Sequence, residues 1–80
     1  MDEKMMQQLF AEMIECTGEA IGLVASGFAR HSDAARLTED LRAVIQAAAA
    51  LHRPTLAIRL ATYALAAVEA ESRLQNPPKH

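Results

Sequence analysis

Hydrophobic residues recur at alternating steps of four and three over most of the chain, which is the spacing of one helix face. The first segment with this pattern covers about residues 2–27. Its repeating positions are Met6, Phe10, Met13, Thr17, Ala20 and Val24. Gly18 and Gly22 lie inside the segment, and each costs roughly 1 kcal/mol relative to alanine in a helix interior. We therefore expect either a kink near Gly18 or a second helix in close approach, with Gly27 as a candidate C-cap.

The second helical segment is predicted over about residues 33–51. Ser32 or Asp33 is a suitable N-cap, because its side-chain oxygen can accept a hydrogen bond from a free backbone N–H. The apolar positions that follow are Leu37, Leu41, Val44, Ala48 and Leu51. The alanine run at 47–50 favours a thin helix, against which a partner helix can lie closely.

The third segment is predicted over about residues 54–75, and Pro54 suits its first turn. It carries two apolar stripes, which indicates two neighbours or one wide buried face. The first stripe consists of Leu56, Leu60, Tyr63, Ala67, Ala70 and Leu74. The second stripe consists of Ile58, Ala61, Leu65 and Val68. Pro77 and Pro78 end the segment, so residues 77–80 are expected to form a disordered tail.

These segments predict an all-α protein with a single helical domain over residues 1–76. Helices two and three are joined by a short connection, so they should form an antiparallel helical hairpin. Helix one is expected to pack across the hairpin and complete a three-helix unit. The expected buried residues are Leu37, Leu41, Val44, Leu51, Leu56, Leu60 and Leu65. Apolar surface would remain on helix one or helix three, and a dimeric helical bundle would cover it.

Composition supports both the helices and the need for a partner. The 80 residues are 51% hydrophobic but only 4% aromatic, with seventeen alanines, and strong helix formers dominate. A chain of this length builds a small core, which a disulfide, a metal or a second subunit usually supplements. A single cysteine, Cys16, excludes an internal disulfide and fits a reducing compartment.

Charge and hydropathy exclude several classes of function. The formal net charge is −2 and the arginines are spread along the chain, so we expect no nucleic-acid partner. No run of about 18 apolar residues appears, so we expect no membrane span. The first residues, Asp2, Glu3 and Lys4, are unlike a cationic leader, which makes a cytoplasmic location the default prediction.

The residue types of catalysis and metal binding are present but not grouped. His31 and His52 flank helix two, roughly 30 Å apart, and His80 is at the end of the chain. Cys16 has no accompanying base, acidic orienter or Gly-rich loop, so we interpret it as a small hydrophobe on a helix face. We therefore predict no catalytic, metal-binding or cofactor-binding residues. The carboxylates of Glu12, Glu15 and Glu19 line one side of helix one, as a solvated face or as a site for a cation or basic partner.

Two resemblances supply an alternative. Ile21-Gly22-Leu23 through Gly27, followed by His31-Ser32-Asp33-Ala34, resembles the middle of a tetratricopeptide-type helix pair. In that family a small residue of the first helix packs against an alanine of the second, and Gly22 and Ala34 occupy these places. The chain is also similar in size and style to the small helical chaperones of type III secretion needle subunits. Both resemblances imply a chaperone or adaptor that binds a heterologous helix.

The leading hypothesis is a small non-enzymatic interaction module that self-associates through apolar helix faces. Its partner would be a second copy of the chain, as a homodimer or higher oligomer, or else a helix of another protein. Methionines and Phe10 near the start of helix one are either core residues or an adaptable binding surface. The interface candidates are Met6, Phe10, Met13, Ile58, Leu65 and Val68.

Overall fold

The computed structural model describes residues 2–77, and this part of the chain consists of three helices and two short connections. Helix α1 covers Glu3–Arg30, α2 covers Ala34–Ala50 and α3 covers Thr55–Gln75. The described residues contain no strand, which confirms the prediction of an all-helical chain with three helical segments. Of the predicted tail at 77–80, residues 78–80 lie outside the described residues.

Helix α1 is continuous through its glycines, so the expectation of a kink near Gly18 is not met. Asp2 caps its N-terminus by accepting a hydrogen bond from the Met5 backbone N–H at 2.7 Å. Gly27 does not act as a C-cap, because it has no positive φ and the helix continues to Arg30. The glycines are tolerated because α1 packs along another helix, and this contact offsets their low helix propensity.

Helices α1 and α3 run parallel, with small residues of α1 at the contact. Gly18 faces the ring of Tyr63 and Gly22 faces Ala67. Ser26 meets Glu71, and in all three pairs the partners are 45 positions apart in sequence. The constant offset shows that the two helices keep the same direction and register. The missing side chains at the glycines allow the close approach that was the second expectation for this segment.

Helices α2 and α3 form the predicted antiparallel hairpin. The backbone N–H of Ala34, at the start of α2, donates to Gln75 at the end of α3. Further along α2, Arg42 pairs with Glu69 at 2.8 Å. Helix α3 therefore packs against both other helices, which explains its two apolar stripes, while α1 and α2 scarcely touch each other.

The core of the single chain is small. Its fully buried hydrophobic residues are Ala29, Ala34 and Val68, with Leu37 and Leu41 partly buried beside them. Of the other expected core residues, Leu60 and Leu65 are half-buried, whereas Val44, Leu51 and Leu56 are exposed. The prediction was wrong for Val44, Leu51 and Leu56. Helix α1 makes few contacts with α2, so it does not cover these positions of the hairpin.

The described fold is elongated. Its principal extents are 52 × 27 × 24 Å and its radius of gyration is 15.1 Å. A compact domain of this length has a radius of gyration of about 12 Å. The register of α1 and α3 places Thr55 level with Phe10, so residues 3–9 extend beyond α3 by about 10 Å.

Candidate interaction surface

An apolar stripe along α1 is exposed in the single chain. We call it the α1 stripe, and it consists of Met6, Phe10, Met13, Thr17, Ala20 and Val24. All of these residues are exposed, with Phe10 at 57%, Met13 at 62% and Val24 at 74%. At 100° per residue, the stripe lies about a third of a turn from the Gly18–Gly22 face that meets α3. The heptad-like pattern therefore marks an unpartnered face and not the core-facing side of α1.

Half of the α1 stripe borders an apolar groove of about 530 Å³ between α1 and α2. The α1 wall of the groove consists of Thr17, Ala20, Ile21, Val24, Ala25 and Phe28. Leu37 and Leu41 of α2 form the opposite wall, and Ala64 and Val68 of α3 form the floor. The groove exists because α1 and α2 both pack on α3 but scarcely touch each other.

The α1 stripe contains no charged residue. Between Met6 and Val24, the stripe and the positions that flank it carry only apolar or uncharged side chains. Glu12, Glu15 and Glu19 are exposed on the other side of α1. A second helix could therefore lie along the stripe without burying an unpaired charge, which is the usual obstacle to such contacts.

The predicted interface residues of α3 lie elsewhere in the fold. Ile58 and Leu65 are half-buried, and Ile58 faces the α2 side near Ile45 and Ala48. Val68 is only 2% exposed and belongs to the core of the chain itself. Val68 is therefore almost completely covered within the single chain, although it contributes to the floor of the groove.

A buried polar cluster ties α1 to α3 beside the groove. The Glu71 carboxylate, almost completely buried, accepts a hydrogen bond from the Ser26 hydroxyl at 2.8 Å and one from Arg30 Nε at 3.1 Å. These two hydrogen bonds, with the positive charge of Arg30, hold the pKa of Glu71 below its ordinary value against the opposing effect of burial. The sequence analysis did not identify this cluster. The signal for it in the sequence is that Glu71 follows Tyr63 and Ala67 at steps of four, which places a carboxylate in line with an apolar stripe of α3.

The Gln75 side chain forms hydrogen bonds with the backbone on both sides of the turn between α1 and α2. Its Nε2 donates to the carbonyls of Ala29 and Ser32, and its Oε1 accepts from the backbone N–H of Ala34. One amide side chain thus satisfies backbone groups at the end of α1 and the start of α2, where they lack partners within their helices.

The two histidines in the described part of the chain lie far apart, and the single cysteine is on another helix. His31 and His52 are exposed at opposite ends of α2, and Cys16 is an exposed free thiol on α1. His52 has a φ of 55°, and it ends α2 with backbone hydrogen bonds from His52 to Ala49 and from Arg53 to Ala48. Within residues 2–77 no group of three or more His, Cys, Asp or Glu side chains is placed to hold a metal ion. In that same part of the chain, no helix has the length and apolar character needed to cross a bilayer.

The contact expected from the tetratricopeptide resemblance is absent. A Cβ atom at Gly22 would lie 3.8 Å from Ala67 Cβ of α3, so Gly22 faces α3 and not Ala34. Ala34 is instead buried beside Ala29 and Val68. The first two helices scarcely touch, whereas a tetratricopeptide pair depends on their mutual packing.

Comparison with known proteins adds no family to this description. No family model matches the chain, and neither the curated proteins nor the solved structures contain a match.

Proposed function

We propose that the protein is a non-enzymatic interaction module whose function is to self-associate through the apolar surface of α1 and the adjoining groove. The observation that carries this proposal is the amount of surface the single chain leaves uncovered. The accessible surface is 6370 Å² for a chain of 8.7 kDa. A compact monomer of this mass exposes about 4,700 Å², so the excess is about 1,700 Å².

This excess is large compared with the area that stable association requires. A standard protein–protein interface buries about 800 Å² on each partner, and permanent homodimers often bury more. Much of the uncovered surface is apolar, since large hydrophobic side chains are exposed along all three helices. A contiguous apolar face of this kind is typical of an interface rather than of a monomer surface.

Solution mass tests the proposal. Light scattering after size exclusion, over a dilution series from about 100 µM to 1 µM, should give twice the chain mass or a higher multiple at the upper concentrations. A folded monomer of 8.7 kDa throughout the series, with the helical content retained by circular dichroism, would refute self-association.

The groove also favours a second candidate, an adaptor that binds a helix of another protein. An amphipathic helix recognised in a groove presents residues at helical spacing, and the groove is open along one side. The two candidates differ in the free state of the protein. A stable monomer that binds an amphipathic helical peptide at 1:1 stoichiometry in calorimetry would support the adaptor, whereas a stable dimer that leaves the peptide unbound would support self-association.

A further inference from the structure

The α1 stripe is graded in size along its length, and the grading points to one specific partner arrangement. Large side chains occupy its N-terminal half, at Met6, Phe10 and Met13. Smaller side chains occupy its C-terminal half, at Thr17, Ala20 and Val24. The positions of the two halves are symmetric about Glu15, since positions 6 and 24, 10 and 20, and 13 and 17 lie equally far from it in sequence.

We propose that two copies of this chain pair their α1 helices antiparallel along the α1 stripe. The first residues of α1, 3–10, which we call the N-terminal arm, then enter the apolar groove of the other copy. This inference rests on the proposed self-association and specifies its geometry. The two-fold axis passes at the level of Glu15. Three kinds of contact then form, each of them twice: Met6 with Val24, Phe10 with Ala20, and Met13 with Thr17 of the second copy.

The pairing matches a large residue with a smaller one in every layer. Layers of this kind fill the space between two helices without voids or overlap, as close packing requires. A parallel pairing of the same faces would set Phe10 against Phe10 and Ala20 against Ala20. One layer would then be crowded and another would be empty, which is unfavourable in both cases.

The tertiary structure gives the arm a place to bind. The antiparallel register brings Met6 and Phe10 of one copy beside Val24 and Ala20 of the other, and both of the latter line the groove. The arm extends past the start of α3, so it can reach across to a second chain. Phe28, Leu37 and Leu41 lie at the groove around this position and would contact the incoming side chains.

The flanks of the pair are also apolar. Leu9, Cys16 and Leu23 form a row beside the α1 stripe, and all of them are exposed in the single chain. In the antiparallel register Leu9 lies next to Leu23 of the second copy, and Cys16 lies next to its own equivalent. Burial of this row would add to the apolar area that dimer formation removes from water, and this row is part of the surface that the single chain leaves uncovered.

Cross-linking between placed cysteines tests the register. Two variants are made in a Cys16→Ser background, Leu9→Cys and Leu23→Cys, with one of them extended by a tag so that the three dimers separate on a gel. The variants are mixed, unfolded and refolded together, and treated with a short bismaleimide. The antiparallel register predicts a cross-link between the two variants and almost none within either, because like positions are then about 20 Å apart along the axis. Cross-links within each variant and none between them would overturn the antiparallel arrangement.

A matched pair of charge substitutions tests the surface. Phe10→Glu lies on the α1 stripe and should convert the dimer to a folded monomer, because it places an unpaired charge in the apolar contact. Ala66→Glu is the control, since Ala66 is exposed on α3 and lies on the opposite side of that helix from Ala64 and Val68 at the floor of the groove. Both side chains are exposed in the single chain, so helicity should be retained in both variants. Loss of association in Ala66→Glu alone would overturn the assigned surface.

The outcomes separate this inference from the proposed function. A wild-type chain that is a dimer by light scattering, but gives cross-links only within each variant, retains self-association and refutes the arrangement. A wild-type chain that is a monomer at all concentrations refutes both. A dimer that cross-links only between the variants, and that dissociates only in Phe10→Glu, supports both.

Discussion

At the scale of single residues, the three glycines of α1 occupy very different environments. A Cβ atom at Gly18 would lie 2.7 Å from the ring atoms of Tyr63, whereas at Gly27 no atom lies within 4 Å. At Gly22 the nearest atoms would be at ordinary contact distance, 3.8 Å. Packing against Tyr63 therefore requires the absence of a side chain at Gly18, while at Gly27 the absence of a side chain has no steric reason.

Alanine substitutions should separate these environments. Gly27→Ala is expected to raise the free energy of unfolding by about 1 kcal/mol, the difference in helix propensity. Gly18→Ala is expected to be less stable than Gly27→Ala by about 1–3 kcal/mol, because the Tyr63 ring must move away from α1. Urea denaturation of both variants measures the difference. In a Tyr63→Ala background the Gly18→Ala change should lose its penalty, and a penalty that persists would contradict the assigned contact.

At the scale of the helices, side chains far apart in sequence hold the pairs together. Ser26, Arg30 and Glu71 join α1 to α3, and the Arg42–Glu69 ion pair joins α2 to α3. The Arg42–Glu69 ion pair is exposed and should contribute little to stability. The cluster around Glu71 includes an almost buried carboxylate, so the charge state of Glu71 should matter to the packing of α1 on α3.

The Glu71 cluster predicts a specific pH dependence. Because the pKa of Glu71 is lower in the folded protein than its ordinary value of 4.5, its ionised form stabilises the fold at neutral pH. This stabilisation is fully present above the unfolded pKa and is lost as the pH falls through the folded pKa. Glu71→Gln should therefore lower the melting temperature at pH 7, and the difference from the wild type should shrink as the pH falls below 4.5.

Glu19→Gln is the control for this measurement, since Glu19 is an exposed carboxyl on the same helix as Ser26 and Arg30. It should leave the melting temperature almost unchanged across the same pH range. A difference between Glu71→Gln and the wild type that stays constant from pH 7 to pH 3 would show that the charge of Glu71 does not contribute through this cluster.

At the scale of the whole molecule, the single chain has a small core and a large uncovered apolar surface. Among residues 2–77, Ala29, Ala34 and Val68 are the buried hydrophobic residues, while Met13, Val24 and other large side chains are exposed. Folding alone therefore removes little apolar area from water. A second copy would supply much of the missing burial, so the stability of the folded chain would depend in part on association.

This dependence predicts that thermal stability changes with protein concentration. For a dimer that unfolds in one step, a tenfold increase in concentration should raise the melting temperature by about 4 °C. Circular dichroism melts at 5, 50 and 500 µM measure the effect, and Phe10→Glu should abolish it. A melting temperature that is the same at all three concentrations would mean that the single chain is stable without a partner.

Much of the fold could be predicted because its signals are local. Periodicity and composition predict three helices, Asp33 caps α2 as its side chain suggests, and the two stripes of α3 indicate its two neighbours. The short connection between α2 and α3 leaves little choice but an antiparallel hairpin. The apolar pattern of α1 was also recognised from the sequence, although the pattern alone left open whether the residues belong to a core or to a binding surface.

Only the tertiary structure decided how the faces are used. The α1 face that packs on α3 is the inconspicuous row of Gly18, Gly22 and Ser26, because small residues permit the closest approach to Tyr63 and Ala67. The conspicuous α1 stripe is left exposed and forms a wall of the groove. Periodicity follows from a helix's own repeat, so the sequence by itself determined the elements and their apolar sides. Which side meets which helix depends on contacts between residues about 45 positions apart, and a local pattern carries no information about them.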